Sequence, residues 1–221
     1  MYLSRTPRYT HTQEVYNSIT HLFGVAFSFV VFIMFMNYQF DHNTPFSYMY
    51  PFYIYTVFMM MVFIVSSVYH SRPLDTKIRR IWRVIDHSDI YLFVAGTYTP
   101  ICVLAISNQP IATGLIIAEY SLALAGILVT LFGGLTKKWM EIIAYIIYLL
   151  AGWALMFVYP FNQCLQFNVF IFILIGGIVY TVGAIAYAIG KKKIWFHTLF
   201  HVVIVVAAVI QFIGIWNILP H

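Results

Sequence analysis

The sequence predicts an all-α integral membrane protein that forms one bundle of seven transmembrane helices. Two observations carry this prediction. The 221 residues are 62% hydrophobic and only 9% charged, with a mean hydropathy of +0.85, whereas soluble domains are about 25% charged. Apolar runs of roughly 20 residues, the length that crosses a bilayer core, also recur along the whole chain. A soluble fold is therefore excluded, and residues 1–221 are expected to form a single membrane domain.

The spans follow one another with short breaks between them. Polar residues and proline end the first, third and fifth spans, five basic residues follow the second, and glycine with lysine follows the fourth and sixth. A short segment, residues 1–16, precedes the first span. We place the spans at about 17–38, 48–70, 87–107, 111–133, 139–159, 168–189 and 195–217, and the breaks at 41–45, 72–83, 107–110, 133–138, 160–166 and 190–193.

The basic residues predict how the bundle lies in the membrane. With seven spans, all 12 Lys and Arg residues fall on one side, before span one and in the loops that follow spans two, four and six. Because basic loops stay in the cytoplasm, the N-terminus is expected inside and the C-terminus outside. The net charge of +5 belongs to these loops. A nucleic-acid partner is not expected, since the chain lacks a soluble basic surface.

Two histidines open the last span, in the sequence His197-Thr-Leu-Phe-His201. Spacing i, i+4 puts both imidazoles on one helix face, a geometry that chelates a transition metal such as zinc. By the charge pattern, His70 and Asp86 lie at the same cytoplasmic level, at the end of span two and the start of span three. Three imidazoles and a water form a common open zinc site, in which a carboxylate can orient the water or take its proton.

Other interpretations of these residues stay open at this point. The pair His197 and His201 alone is typical of an interfacial pair or a packing accident, His70 can lie at headgroup level, and Asp86 can pair with Arg83. Bis-histidine haem ligation would leave a third histidine and a carboxylate unused. The shared depth of the four groups favours zinc.

A second polar set begins span one, where Glu14, Asn17 and His21 lie at i, i+3 and i+7 on one helix face. They either cap an amphipathic helix entry or support the metal cluster and relay protons. Ser66, one turn before His70, can hydrogen-bond to it or to its own helix. Glu119 lies mid-span and is expected to be a neutral acid with no assigned role. Two further residues, Cys102 and Cys164, make no metal motif, and a disulfide between them is left open.

Several motifs together resemble those of the haemolysin III family, the bacterial branch of the progestin and adipoQ receptor family. The stretch 66–71 (SSVYHS), the residues 85–87 (IDH) and the stretch 95–100 (AGTYTP) carry the resemblance, and Glu14-x-x-Asn17-x-x-x-His21 with His197-x-x-x-His201 match two further motifs. The resemblance implies a seven-helix protein of the bacterial inner membrane with zinc near the cytoplasmic face. By the same resemblance His70, His197 and His201 hold the zinc, Asp86 contacts it through water, and Ser66 is the motif serine.

The resemblance also suggests a function. The wider superfamily includes alkaline ceramidases, which implies metal-dependent hydrolysis of a lipid amide or ester, with Asp86 as base or water orienter. A membrane lipid would then be the substrate. The alternatives are a non-enzymatic sensor or regulator with structural zinc, and a membrane-lysing protein, as the family name suggests. The sequence does not favour lysis, because it shows no amphipathic lytic helix.

Overall fold

A computed structural model of the chain describes residues 9–135, 137–158 and 165–220. Within these ranges seven helices are each long and apolar enough to cross a membrane, and no strand occurs. The predicted seven-helix membrane fold is therefore confirmed, whereas the orientation of the termini stays a prediction. The helices are α1 (His11–Asp41), α2 (Phe46–Ser71), α3 (Lys77–Pro100), α4 (Gln109–Val129), α5 (Lys138–Val158), α6 (Phe167–Gly190) and α7 (Trp195–Trp216), with π-helical turns at Ile101–Ala105 after α3 and Thr130–Gly134 after α4.

Two helices begin earlier than the apolar pattern predicts. Helix α1 starts at His11 rather than near residue 17, because the Thr10 side chain accepts a hydrogen bond from the Gln13 N–H while the Gln13 side chain accepts one from the Thr10 N–H. Helix α3 starts at Lys77 rather than near residue 87, after the Thr76 cap. Polar helix ends thus extend beyond the apolar spans. Asp86 consequently lies about two and a half turns inside α3, not at its start.

The helices are arranged in chain order, and α7 packs against both α6 and α1. Helices α2 and α3 are the most enclosed. In their most apolar stretches, 56% and 61% of the residues are buried, against 22% in α5. The loops between α2 and α3 and between α6 and α7, which carry Arg72 and Lys191–Lys193, meet at one end of the bundle. We call this the basic end.

An aromatic core fixes the helices at the opposite end. Phe35 of α1 packs on Phe52 of α2, with ring centroids 4.8 Å apart, and on Trp216 of α7 at 5.6 Å. The Tyr38 hydroxyl donates to the Pro220 carbonyl at 2.7 Å. Because α1, α2 and α7 are held together there, their positions at the basic end are also restricted.

The turn between α6 and α7 places the first histidine of the pair. A Cβ added to Gly190 would lie only 2.8 Å from the backbone nitrogen of His197. The close approach of these two backbones therefore requires glycine. It brings His197 into the first turn of α7, beside the end of α6.

Candidate metal centre

Three buried histidines from two helices meet at the basic end. His70 comes from the last turn of α2, and His197 and His201 from the first two turns of α7. Each offers one ring nitrogen, and the three nitrogens lie within 4.8 Å of one another. The side chains are almost fully enclosed. The i, i+4 spacing on α7 thus places its two imidazoles beside the single imidazole of α2, and the three form a possible metal site.

The nitrogens of this group suit a transition metal. The Nε2 atoms of His197 and His201 are 3.1 Å apart, close to the roughly 3.3 Å between two nitrogens on one tetrahedral zinc. The Nε2 of His70 is buried and has no hydrogen-bond partner in the described part of the chain. A buried ring nitrogen without a partner is costly, and a metal ion would satisfy it. Three neutral imidazoles are also a common ligand set for zinc.

The other ring nitrogens of two of these histidines have partners on α1. His70 Nδ1 lies 2.7 Å from Glu14 Oε2, and His201 Nδ1 lies 2.8 Å from His21 Nε2. A hydrogen on Nδ1 in each ring leaves the lone pair of Nε2 available to a metal ion. Such contacts fix the orientation and tautomer of metal-binding histidines.

The remaining residue of the α1 set, Asn17, links α1 to α7. Its Oδ1 accepts a hydrogen bond from the Thr198 hydroxyl at 2.7 Å, next to His197 in the chain. Ser18 and Ser67 each donate to the other's backbone carbonyl at 3.1 Å, which ties α1 to α2. The i, i+3, i+7 face of α1 therefore faces both helices that carry the three histidines.

Asp86 lies on α3 beside this group. Its Oδ2 is 3.4 Å from His87 Nδ1, and the Ser66 side chain lies close to the carboxylate. The Asp86 side chain is 13% exposed, and it is near enough to His197 to interact electrostatically. Ser66 thus lies near Asp86 as well as one turn before His70, the partner that helical spacing suggested. His87 also contacts the Tyr187 hydroxyl at 3.1 Å.

Two further residues at the basic end are absent from the sequence-based site. Arg79 is fully buried and contacts Glu14, although the charge pattern counted it only as a topogenic residue. Its signal was the spacing of seven residues to Asp86, which gives nearly the same helix face. Tyr9 stacks on His197 with ring centroids 4.7 Å apart and an interplanar angle of 16°. Burial raises the pKa of the Tyr9 phenol well above its usual range, so it stays neutral.

Glu119 and Cys102, which the sequence left without a role, lie apart from this centre. Glu119 of α4 is fully buried next to Tyr98 and Cys102, and neither of its carboxylate oxygens has a hydrogen-bond partner among the described residues. Cys102 is buried in the π-helical turn that follows α3. Cys164 lies outside the described residues, and so the disulfide stays untested.

Comparison with known proteins decides the family. A family model described as "Haemolysin-III related" matches residues 9–212, which include all the groups around the three histidines. The chain belongs to this family. It is 28% identical over 201 residues to "Hemolysin-3" of Bacillus cereus, covering 90% of this chain and 89% of the relative. It is 31% identical over 194 residues to "Hemolysin-3 homolog" of Bacillus subtilis (strain 168), covering 87% and 88%.

Family and fold agree with the resemblance seen in the sequence. With seven helices able to span a membrane and bacterial relatives of matching length, the haemolysin-III related chain is a multi-pass cell-membrane protein. As a membrane protein it contacts lipid.

Proposed function

We propose that this haemolysin-III related chain binds zinc and hydrolyses an amide or ester bond of a membrane lipid. The observation that carries the proposal is the convergence of three buried imidazoles, His70, His197 and His201, with their ring nitrogens within 4.8 Å. The unpartnered Nε2 of His70 supports a metal at this place. Three histidine ligands leave the fourth position of a tetrahedral zinc for water, as in catalytic sites.

The surrounding residues have separate roles in this proposal. Bound zinc would polarise the carbonyl and lower the pKa of a water. Asp86, on α3 beside the histidines, would orient that water and accept its proton. Ser66 would hold the Asp86 carboxylate through its hydroxyl. Glu14 and His21 would keep the Nε2 atoms of His70 and His201 free for the metal.

The position of the centre supports a lipid as substrate. The three histidines lie in the turns of α2 and α7 next to the basic loops, where we expect the headgroup region to begin. The positive-inside bias predicts that this is the cytoplasmic face. An amide or ester that joins a headgroup to an acyl chain lies at the same depth, so it can reach the centre without leaving the membrane.

The experiment measures metal and turnover on the same purified protein. Wild type and Asp86→Ala are purified in detergent, zinc is quantified by mass spectrometry, and fatty-acid release is followed on a panel of lipid amides and esters. We expect one zinc per chain in both, and turnover in the wild type that falls at least 100-fold in the variant. Asp41→Ala, at the end of α1, is the matched control and should be unchanged.

The outcomes separate the proposal from its rivals. Wild type without stoichiometric zinc contradicts the metal centre itself. Zinc without turnover on any lipid favours the second candidate, a sensor or regulator with structural zinc. The stacking of Tyr9 on His197 favours that candidate, because the Tyr9 ring covers one face of a proposed zinc ligand and so restricts access to the metal. The names of the two relatives concern haemolysis, and an erythrocyte-lysis assay of the purified protein tests that activity as a third candidate.

A further inference from the structure

Among the basic residues that the structure describes, Arg79 is the one whose burial the charge pattern does not explain. A topogenic arginine needs only to lie near the membrane surface, yet this side chain on α3 has no exposed area. Burying a guanidinium is costly unless its donors are used. The contacts of Arg79 therefore indicate what its position achieves.

One set of contacts reaches the backbone around His70. Arg79 Nη1 donates to the Tyr69 carbonyl at 3.3 Å and to the Arg72 carbonyl at 2.6 Å. These carbonyls belong to the last turn of α2 and to its C-cap residue, on either side of His70, and the Tyr69 carbonyl also accepts a hydrogen bond from the Arg72 N–H at 3.2 Å. The guanidinium also lies over the Tyr69 ring, 4.6 Å from its centroid. Arg79 thus holds the backbone of the turn that carries His70.

The other contact reaches the side chain of His70 through α1. Arg79 Nη2 donates to Glu14 Oε1, and the second oxygen, Oε2, lies 2.7 Å from His70 Nδ1. Glu14 is 8% exposed, so this carboxylate lies between the arginine and the imidazole in a largely enclosed position. The ring of His70 is consequently fixed at Nδ1, and its Nε2 is the buried atom without a partner.

We propose that Arg79 is a positioning residue for the metal centre. It acts on His70 twice, through the backbone of its turn and through Glu14, so that Nε2 faces His197 and His201. The inference rests on the proposed metal centre and adds a residue outside the family-derived ligand set. It requires arginine specifically, because one Nη binds carbonyls of α2 while the other binds a carboxylate of α1. A lysine ammonium lacks this planar fork.

The neighbouring Arg80 provides a matched control. It is on the same helix turn and carries the same charge, and within the described ranges its Nη2 donates only to the Asp75 carbonyl, at 3.5 Å. Zinc affinity is measured by competition with a chromophoric chelator for wild type, Arg79→Lys, Arg79→Gln and Arg80→Gln. We expect Arg79→Gln to raise Kd by about 10- to 100-fold, Arg79→Lys by an intermediate factor, and Arg80→Gln by less than twofold. Equal Kd values for Arg79→Gln and wild type would overturn the inference.

A second readout needs no metal. With selective ¹⁵N-histidine labelling of the metal-free protein, the His70 signals are assigned from their absence in His70→Gln. We expect a single Nδ1–H tautomer in the wild type and in Arg80→Gln, and a mixture in Arg79→Gln. A fixed tautomer in Arg79→Gln would also overturn the inference. If Arg79→Gln does not fold, Arg79→Lys carries both tests, and values equal to wild type overturn it.

A double-mutant cycle tests the route through Glu14. If Arg79 acts partly through this carboxylate, Glu14→Gln and Arg79→Gln together weaken zinc binding by less than the product of the single effects. Strictly multiplicative effects would contradict the link. These arms also distinguish the two proposals: failure of wild type to bind zinc contradicts the metal function, whereas zinc binding that ignores Arg79 contradicts only the positioning role.

Discussion

The basic end and the middle of the bundle both bury acidic side chains, and they treat them differently. At the basic end Glu14 contacts His70 and Arg79, and Asp86 contacts Ser66 and His87. Further along α3 and in α4, Asp89 and Glu119 are 1% and 0% exposed, and none of their carboxylate oxygens has a hydrogen-bond partner among the described residues. A buried carboxylate can carry charge and orient its neighbours only where partners compensate it. The difference teaches that burial alone does not identify a site, whereas partners from several helices do.

The largest effect is expected from His201, which lies between the other residues of the candidate metal centre. His201 contacts both His197 and His21, so His201→Ala removes one proposed ligand and leaves a second ring without its partner. We expect zinc Kd to rise more than 100-fold, measured by chelator competition on purified protein. His42→Ala, in the exposed loop after α1, should keep wild-type affinity. Similar loss in both variants would mean that the effect is not local.

The next largest effect on zinc affinity is expected from Glu14, the buried acid that contacts His70 and Arg79 at the basic end. Glu14→Gln keeps the size of the side chain but removes the charge that faces both His70 and Arg79. We expect zinc affinity to fall by roughly 10- to 100-fold, the usual effect of losing a partner behind a metal ligand. Isothermal titration with zinc checks it. Unchanged affinity would show that Glu14 does not support the metal centre.

The sequence predicted more of the three histidines of the candidate centre than of the residues that surround and position them. The i, i+4 spacing paired His197 with His201, the charge pattern of the loops assigned His70 to the same level, and the structure brings these three rings together. The structure also places Asp86 near His197, whereas its depth in the membrane stays a prediction. The start of α3 was wrong by ten residues, because a hydropathy pattern sees the apolar span and not the polar turns that extend it. Those turns carry Arg79.

Residues whose role depends on tertiary contacts gave little local signal. Arg79 is one of five basic residues between the second and third spans, and only its spacing of seven residues to Asp86 separates it from Arg80. Tyr9 precedes the first helix, so no periodicity applies to it. The partner of Ser66 was also not readable, since helical spacing relates a residue to its own helix and Asp86 is on another.

A smaller effect is expected where the network joins α1 to α7. The Thr198 hydroxyl donates to Asn17 Oδ1, and Thr198→Val removes this donor without changing the shape of the side chain. We expect a loss of about 1 kcal/mol in unfolding free energy, measured by chemical denaturation in mixed micelles, with zinc affinity reduced less than tenfold. Thr20→Val is the control, because that hydroxyl bonds only carbonyls of its own helix. Equal destabilisation of both variants would show that the link between the helices contributes nothing.

The smallest effect is expected at Glu119, an acid without a hydrogen-bond partner among the described residues, and this substitution tests the comparison most directly. Glu119→Gln is the same substitution as Glu14→Gln at a similarly buried position. Because no described residue hydrogen-bonds Glu119, and because a neutral acid and an amide are alike in size and polarity, we expect zinc affinity and the midpoint of thermal unfolding to stay at wild-type values. A fall in zinc affinity would mean that Glu119 is coupled to the basic end across the bundle. The two regions would then form one network, and the contrast between partnered and unpartnered acids would no longer separate site from interior.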